Sequence, residues 1–193
     1  MTPTVQPAWG PLLASQLAWH WEAHARPRLA GLTDDEYFFE PVPGSWSVRP
    51  AGAPTPAQLI GTGPMRVDFD VAPADPPPVT TIAWRLSHLV VGVFGDRNAR
   101  YFAGPPIGYE SYAYPATAAG ALADLDAGYA RWMAGIEALS PEELAANCRE
   151  PGFESDSMAA LILHIHREAI HHLAEIALLR DLWAHGLRSV RSG

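Results

Sequence analysis

Lysine is absent from this 193-residue chain, so all 13 basic residues are arginine, set against 21 acidic ones. The net charge of −8 and the lack of any basic run or stripe work against DNA, RNA or an anionic lipid surface as partner, because phosphate-rich surfaces need a cationic footprint. Cysteine occurs once, at Cys148. No internal disulfide can form and no CxxC pair exists, which suits a reducing cytoplasm. No apolar run reaches the roughly 18 residues of a membrane span, and the opening residues carry neither the basic nor the apolar part of a signal peptide. The expectation is a soluble, cytoplasmic protein with neither nucleic acid nor membrane as partner. Repeats, low-complexity linkers and charge blocks are missing as well. Residues 1–193 are therefore read as a single domain, with 48% hydrophobic residues to build its core.

Proline and glycine, plentiful elsewhere, are missing from residues 157–183, SMAALILHIHREAIHHLAEIALLRDLW. Without the two strongest breakers this stretch reads as one long helix. Stepping about 100° per residue from Glu168 places Leu161, His164, Ile165, His172, Glu175, Ile176, Leu179, Leu182 and Trp183 within roughly 80° of it. That stripe is expected to be buried, and ionisable groups inside it need compensation. Glu168 and His172 are four apart and project side by side from adjacent turns, as two ligands of one metal ion do. A buried Glu–His ion pair satisfies them equally. His171 lies to one side and His166 points away from the stripe, so neither is expected to ligate.

Other helical patterns precede this one. Residues 11–29 carry Leu13, Leu17, His20 and His24 at helical spacing, with Pro27 marking a kink or an end. His20 and His24 form a rival metal pair but read as core or surface histidines. Thr33 followed by Glu36 signals a short capped turn. Residues 51–80 are too rich in proline for a long helix; there MRVDFDV alternates like a strand, with WSVRP as its expected hairpin partner. Thr80 or Thr81 then starts a helix over residues 80–102, with Leu86, Leu89, Val90 and Val93 on one side. His88 lies on another side with Trp84, Val91, Gly92, Gly95, Ala99 and Phe102. Two glycines inside a helix need a reason: room beside His88, or close packing of a neighbouring element. Arg85 reads as a surface arginine or as the holder of an anionic substrate or a neighbouring carboxylate. Residues 115–139 form the next helix, Ser140 caps a short continuation, and Cys148 reads as structural filler. His164 and Glu175 flank the ligand pair and are expected to hydrogen-bond around it.

Four long helical patterns joined by one long early crossover indicate an all-α, four-helix bundle, in which His88, Glu168 and His172 share the core. The SHLVVG segment after a WSV-containing loop, together with REAIHHLAEI, resembles the DinB-like superfamily, which includes the metal-binding domain of mycothiol-dependent maleylpyruvate isomerase. The resemblance implies a DinB-type bundle with a long irregular crossover between its first and second helices. It also implies His88, Glu168 and His172 as ligands of a divalent metal, zinc or nickel. By the same resemblance the expected activity is that of a transferase or isomerase acting on a small-molecule substrate with mycothiol or another low-molecular-weight thiol. The second reading is a non-catalytic metal-binding or dimeric helical module, since the second helix is apolar around much of its circumference and could be buried or form a homodimer face. An enzyme requires an open ligand position, expected in a pocket lined by Trp84, Gly92, Gly95, Glu168 and His172.

Overall fold

Helix-forming sequence dominates the computed structural model, which describes residues 8–72 and 75–187. The chain opens with α1 (Trp9–His20), a π-helical turn π1 (Trp21–Ala25) and α2 (Arg26–Arg28), which run on without a break. In π1 the Arg26 N–H donates to the Trp21 carbonyl, five residues back. This wider turn lies just before Pro27, which has no N–H to give and crowds the carbonyl four residues earlier. Leu13, Ala14, Leu17, Trp21 and Ala25 form the buried face. Trp21 stacks on Tyr129 with ring centroids 3.9 Å apart.

The short α3 (Asp34–Tyr37) is capped by Thr33, whose hydroxyl accepts from the Glu36 N–H. The proline-rich crossover then holds a small antiparallel sheet of β1 (Val48–Pro50), β2 (Gln58–Ile60) and β3 (Met65–Phe69) in the order β1-β3-β2. The expected pairing of the two strand-like segments is present, with Val48 opposite Val67. Between them in sequence runs the additional β2, which offers no alternating apolar pattern to announce it. Asp68 on β3 is fully buried and accepts from the Ser47 N–H and Arg49 Nε, each at 2.8 Å, and from the Thr55 hydroxyl. Its own carbonyl accepts from Trp84 Nε1 at 2.9 Å. The Thr81 N–H donates to the Trp46 carbonyl, and the Thr81 and Ser47 hydroxyls meet at 3.0 Å. The sheet thus fixes the start of the next helix, the one that carries His88.

That helix comprises α4 (Ile82–His88), a seven-residue π segment π2 (Leu89–Gly95) and α5 (Asp96–Tyr101), with Thr81 as N-cap. A loop leads to α6 (Ala118–Glu137), then to the short α7 (Pro141–Ala145) with its Ser140–Glu143 capping box, and finally to α8 (Met158–Ala184), capped by Ser157. Leu17, Ile82, Leu86, Leu89, Phe94, Leu125, Trp132, Ile136, Ile162, Ile165 and Ile176 are fully buried and join these helices in one core. Each large apolar side chain so buried contributes on the order of 2 kcal/mol. Arg26 makes a bidentate pair with Asp126 at 2.8 and 2.9 Å, and Arg180 Nε reaches Glu36 at 2.7 Å, tying α2 to α6 and α8 to α3.

The buried face of α8 differs from the expected stripe. Leu161, Ile162, Ile165, His166, Ala169, His172, Leu173, Ile176 and Leu179 are inside. At about 100° per residue this arc centres roughly 90° away from Glu168. His166 is therefore buried at 4% exposure, its ring edge-on to Trp132, while His164 and His171 are exposed. The apolar trio Ile162, Ala169 and Leu173 sets the rotation, because burying it gains more than burying charged groups could.

Candidate metal centre

His88 is the last residue of α4, held in place from several sides. Trp84 stacks against its ring at 5.5 Å between centroids, and the His172 ring stands edge-on at 4.6 Å. His88 Nδ1 lies 2.5 Å from the Tyr109 hydroxyl, which reaches in from the loop between α5 and α6. Gly92, one turn further along, makes that approach feasible: a Cβ there would overlap the Tyr109 hydroxyl and press on the His88 ring at 3.1 Å. Burial, reinforced by the nearby His172 and Arg85, pushes the His88 pKa down to about 3. The ring is neutral at neutral pH, as a metal ligand must be.

His172 projects from the edge of the buried face of α8 and is itself buried. Its Nδ1 sits 2.7 Å from Glu175 Oε2, three residues on. A carboxylate can only accept, so Nδ1 carries the proton and Nε2 keeps its lone pair. That Nε2 faces Glu168 Oε2 at 3.6 Å. Glu175 in turn pairs with Arg85 Nη2 at 3.0 Å, and Arg85 Nη1 stands 3.2 Å from His172 Nδ1. Burial lowers the His172 pKa, with Glu175 opposing that effect and Arg85 adding to it. Glu168 is half-exposed at the rim.

His88, Glu168 and His172 each offer one donor atom, and those atoms lie within 4.8 Å of one another. Two imidazoles and one carboxylate are a donor set for zinc and similar divalent ions. Both histidines have Nδ1 engaged, which leaves Nε2 available when His88 donates from Nδ1 to the phenol oxygen. Such outer hydrogen bonds fix ring orientation and tautomer at metal sites. His171, His172 and Glu175 form a second group of possible ligands, but the Arg85 guanidinium already stands against two of them, where a cation would be repelled.

The other residues singled out in the sequence fall elsewhere. His20 and His24 belong to neither group: their rings are 5.9 Å apart on one helix, and His24 lies exposed against Trp19. His164 approaches Glu168 only to 4.0 Å. Arg85 is a partly buried clamp on Glu175 and not a free surface side chain. Gly92 is covered by Tyr109, while Gly95 packs against Ile107 and the Val90 carbonyl and with Ile107 lines a cavity of about 250 Å³ whose wall includes neither His88, Glu168 nor His172. Tyr109 itself was not distinguishable within its Gly/Pro/Tyr loop, since nothing in loop sequence says which tyrosine turns inward.

No curated protein and no solved structure matches the chain. A family model described as the DinB superfamily matches residues 16–176, a span that includes His88, Glu168, His172 and the three side chains that hold them, Arg85, Tyr109 and Glu175.

Proposed function

The chain belongs to the DinB superfamily, and from that membership we propose a divalent-metal-dependent enzyme, a transferase or isomerase that uses a low-molecular-weight thiol. Its four long helical stretches are read as a single-domain four-helix bundle of DinB type, with the sheet-bearing crossover between the first and second. The observation that carries the proposal is the convergence of His88, Glu168 and His172 within 4.8 Å. Zinc or nickel suits the set. With three protein ligands such an ion keeps a position for water or a thiol and acidifies the group bound there.

The surrounding residues prepare that position. Glu175 and Tyr109 orient the two imidazoles, and Arg85 holds Glu175 in turn. Trp84 covers one face of His88. Glu168 supplies negative charge at the half-exposed rim, where a small substrate can approach.

One observation favours the second reading, a non-catalytic helical module. Arg85, Glu175 and His172 form a run of ion pair and hydrogen bond that compensates itself without an ion, and protonation of His172 Nε2 would extend it to Glu168 at 3.6 Å. Elemental analysis of protein purified without a histidine tag separates the two. The enzyme reading expects one equivalent of metal, lost in Glu168→Ala, and a new sulfur charge-transfer band when thiol is titrated into cobalt-substituted protein. Wild type that stays metal-free after supplementation supports the self-compensated module, and a metal site blind to thiols removes the thiol chemistry.

A further inference from the structure

A cavity of about 590 Å³ opens between α5, the turn after Cys148 and the first half of α8. Its size falls within the roughly 300–1,000 Å³ typical of small-ligand pockets. Two features of its wall are unspent. Phe153 and Leu163 line it with 63% and 50% of their surfaces exposed, an apolar area that a ligand body would cover. Arg167 lines it as well and makes no ion pair among the described residues; its polar contact is His164 Nδ1, at a marginal 3.5 Å.

The other charges in the wall are distributed differently. Arg97 is neutralised by Glu150 at 2.8 Å and Asp96 at 3.6 Å, and Arg100 by the same two carboxylates at 3.6 and 3.1 Å. Glu150 is buried and also accepts from the Tyr101 hydroxyl at 3.2 Å. Asp156 is exposed and precedes α8, so it stands roughly 15 Å from Arg167 at 1.5 Å of rise per residue. A ligand with a negative charge at each end would meet Asp156, whereas a single anionic group finds Arg167. That end of the cavity also adjoins the candidate metal centre, because His164 in its wall stands 4.0 Å from Glu168.

We propose that this cavity is a subsite for a small monocarboxylate with an apolar body, its carboxylate on Arg167 and its body against Phe153 and Leu163. Its role as the substrate subsite rests on the metal-enzyme reading, while the binding itself does not. The test is isothermal titration of metal-free protein with benzoate and with its neutral counterpart benzamide. Benzoate should bind at least tenfold more tightly, Arg167→Gln should remove that preference, and Phe153→Ala should weaken both compounds about equally. Arg167 and Phe153 are exposed, so circular dichroism should show both variants folded. Equal affinity for the two compounds, no binding of either, or a benzoate affinity indifferent to Arg167 overturns the subsite. Should wild type take up no metal yet bind benzoate through Arg167, the subsite stands and only the metal-enzyme reading falls; metal uptake without benzoate binding has the opposite meaning.

Discussion

At the level of single side chains, the candidate centre depends on groups that touch the ligands without being ligands. Glu175→Gln keeps the shape of the side chain but removes the charge that fixes the His172 tautomer and holds Arg85. Loss of such an outer partner lowers metal affinity by about 10–100-fold, so competition with a chelator should show a drop of that order with unchanged helical content. His166 tells a different story. Reading it as an outward-facing residue would make His166→Ala a silent control, but it is buried against Trp132, its Nε2 has no hydrogen-bond partner among the described residues, and its pKa is pushed down to about 4 by burial. In the unfolded chain the ring titrates near 6.5, so between about pH 6.5 and 4 the unfolded state binds a proton that the native state refuses. Its contribution is therefore unfavourable in acid: stability should fall as pH drops through that window, by about 3 kcal/mol in total. Denaturant unfolding at several pH values should show this slope, and His166→Leu should flatten it. The exposed His24, which belongs to neither candidate ligand group, is the better silent control for metal uptake.

Among the elements, π2 decides most at the site. Alanine is the better helix former by about 1 kcal/mol, so Gly92→Ala would stabilise this helix if nothing stood nearby. Instead its Cβ meets the Tyr109 hydroxyl and the His88 ring. The expected outcome is a metal affinity at least tenfold weaker by the same competition assay. Gly108→Ala, whose Cβ would meet only Ser111 at an ordinary 3.7 Å, should have no effect. Three helix starts are legible in explicit caps, Thr33, Thr81 and Ser140, each of which accepts from the N–H three residues on, whereas Thr117 and Ser157 cap helices that apolar spacing and the lack of breakers announce. Helix rotation is less legible. Counting every residue at about 100° assumes an unbroken α-helix, and the i→i+5 turns of π2 upset that count just past His88. On α8 the difference has another source: a stripe centred on Glu168 gathers the ionisable groups, whereas Ile162, Ala169 and Leu173 define the buried face. Glu168 and His172 remained legible as a pair because spacing of four places side chains together whichever way the helix turns.

Across the whole molecule, α8 brings Glu168, His172 and Glu175 on one rod, while His88 and Tyr109 come from other elements. Among the described residues no helix is long and apolar enough to cross a membrane. The crossover sheet was only partly readable, since β2 exists through pairing with β3 and not through its own pattern. The separation of His88 from Glu168 along the chain has a thermodynamic consequence. An ion held by all three donors closes a long loop and has no equivalent host once the helices part, so its occupancy is linked to folding. Free metal at a hundred times its dissociation constant would add about 2.7 kcal/mol to native stability. The melting temperature should then climb with metal concentration and fall on chelation in wild type, and should ignore both in Glu168→Ala, so that a thermal melt becomes a titration of the centre.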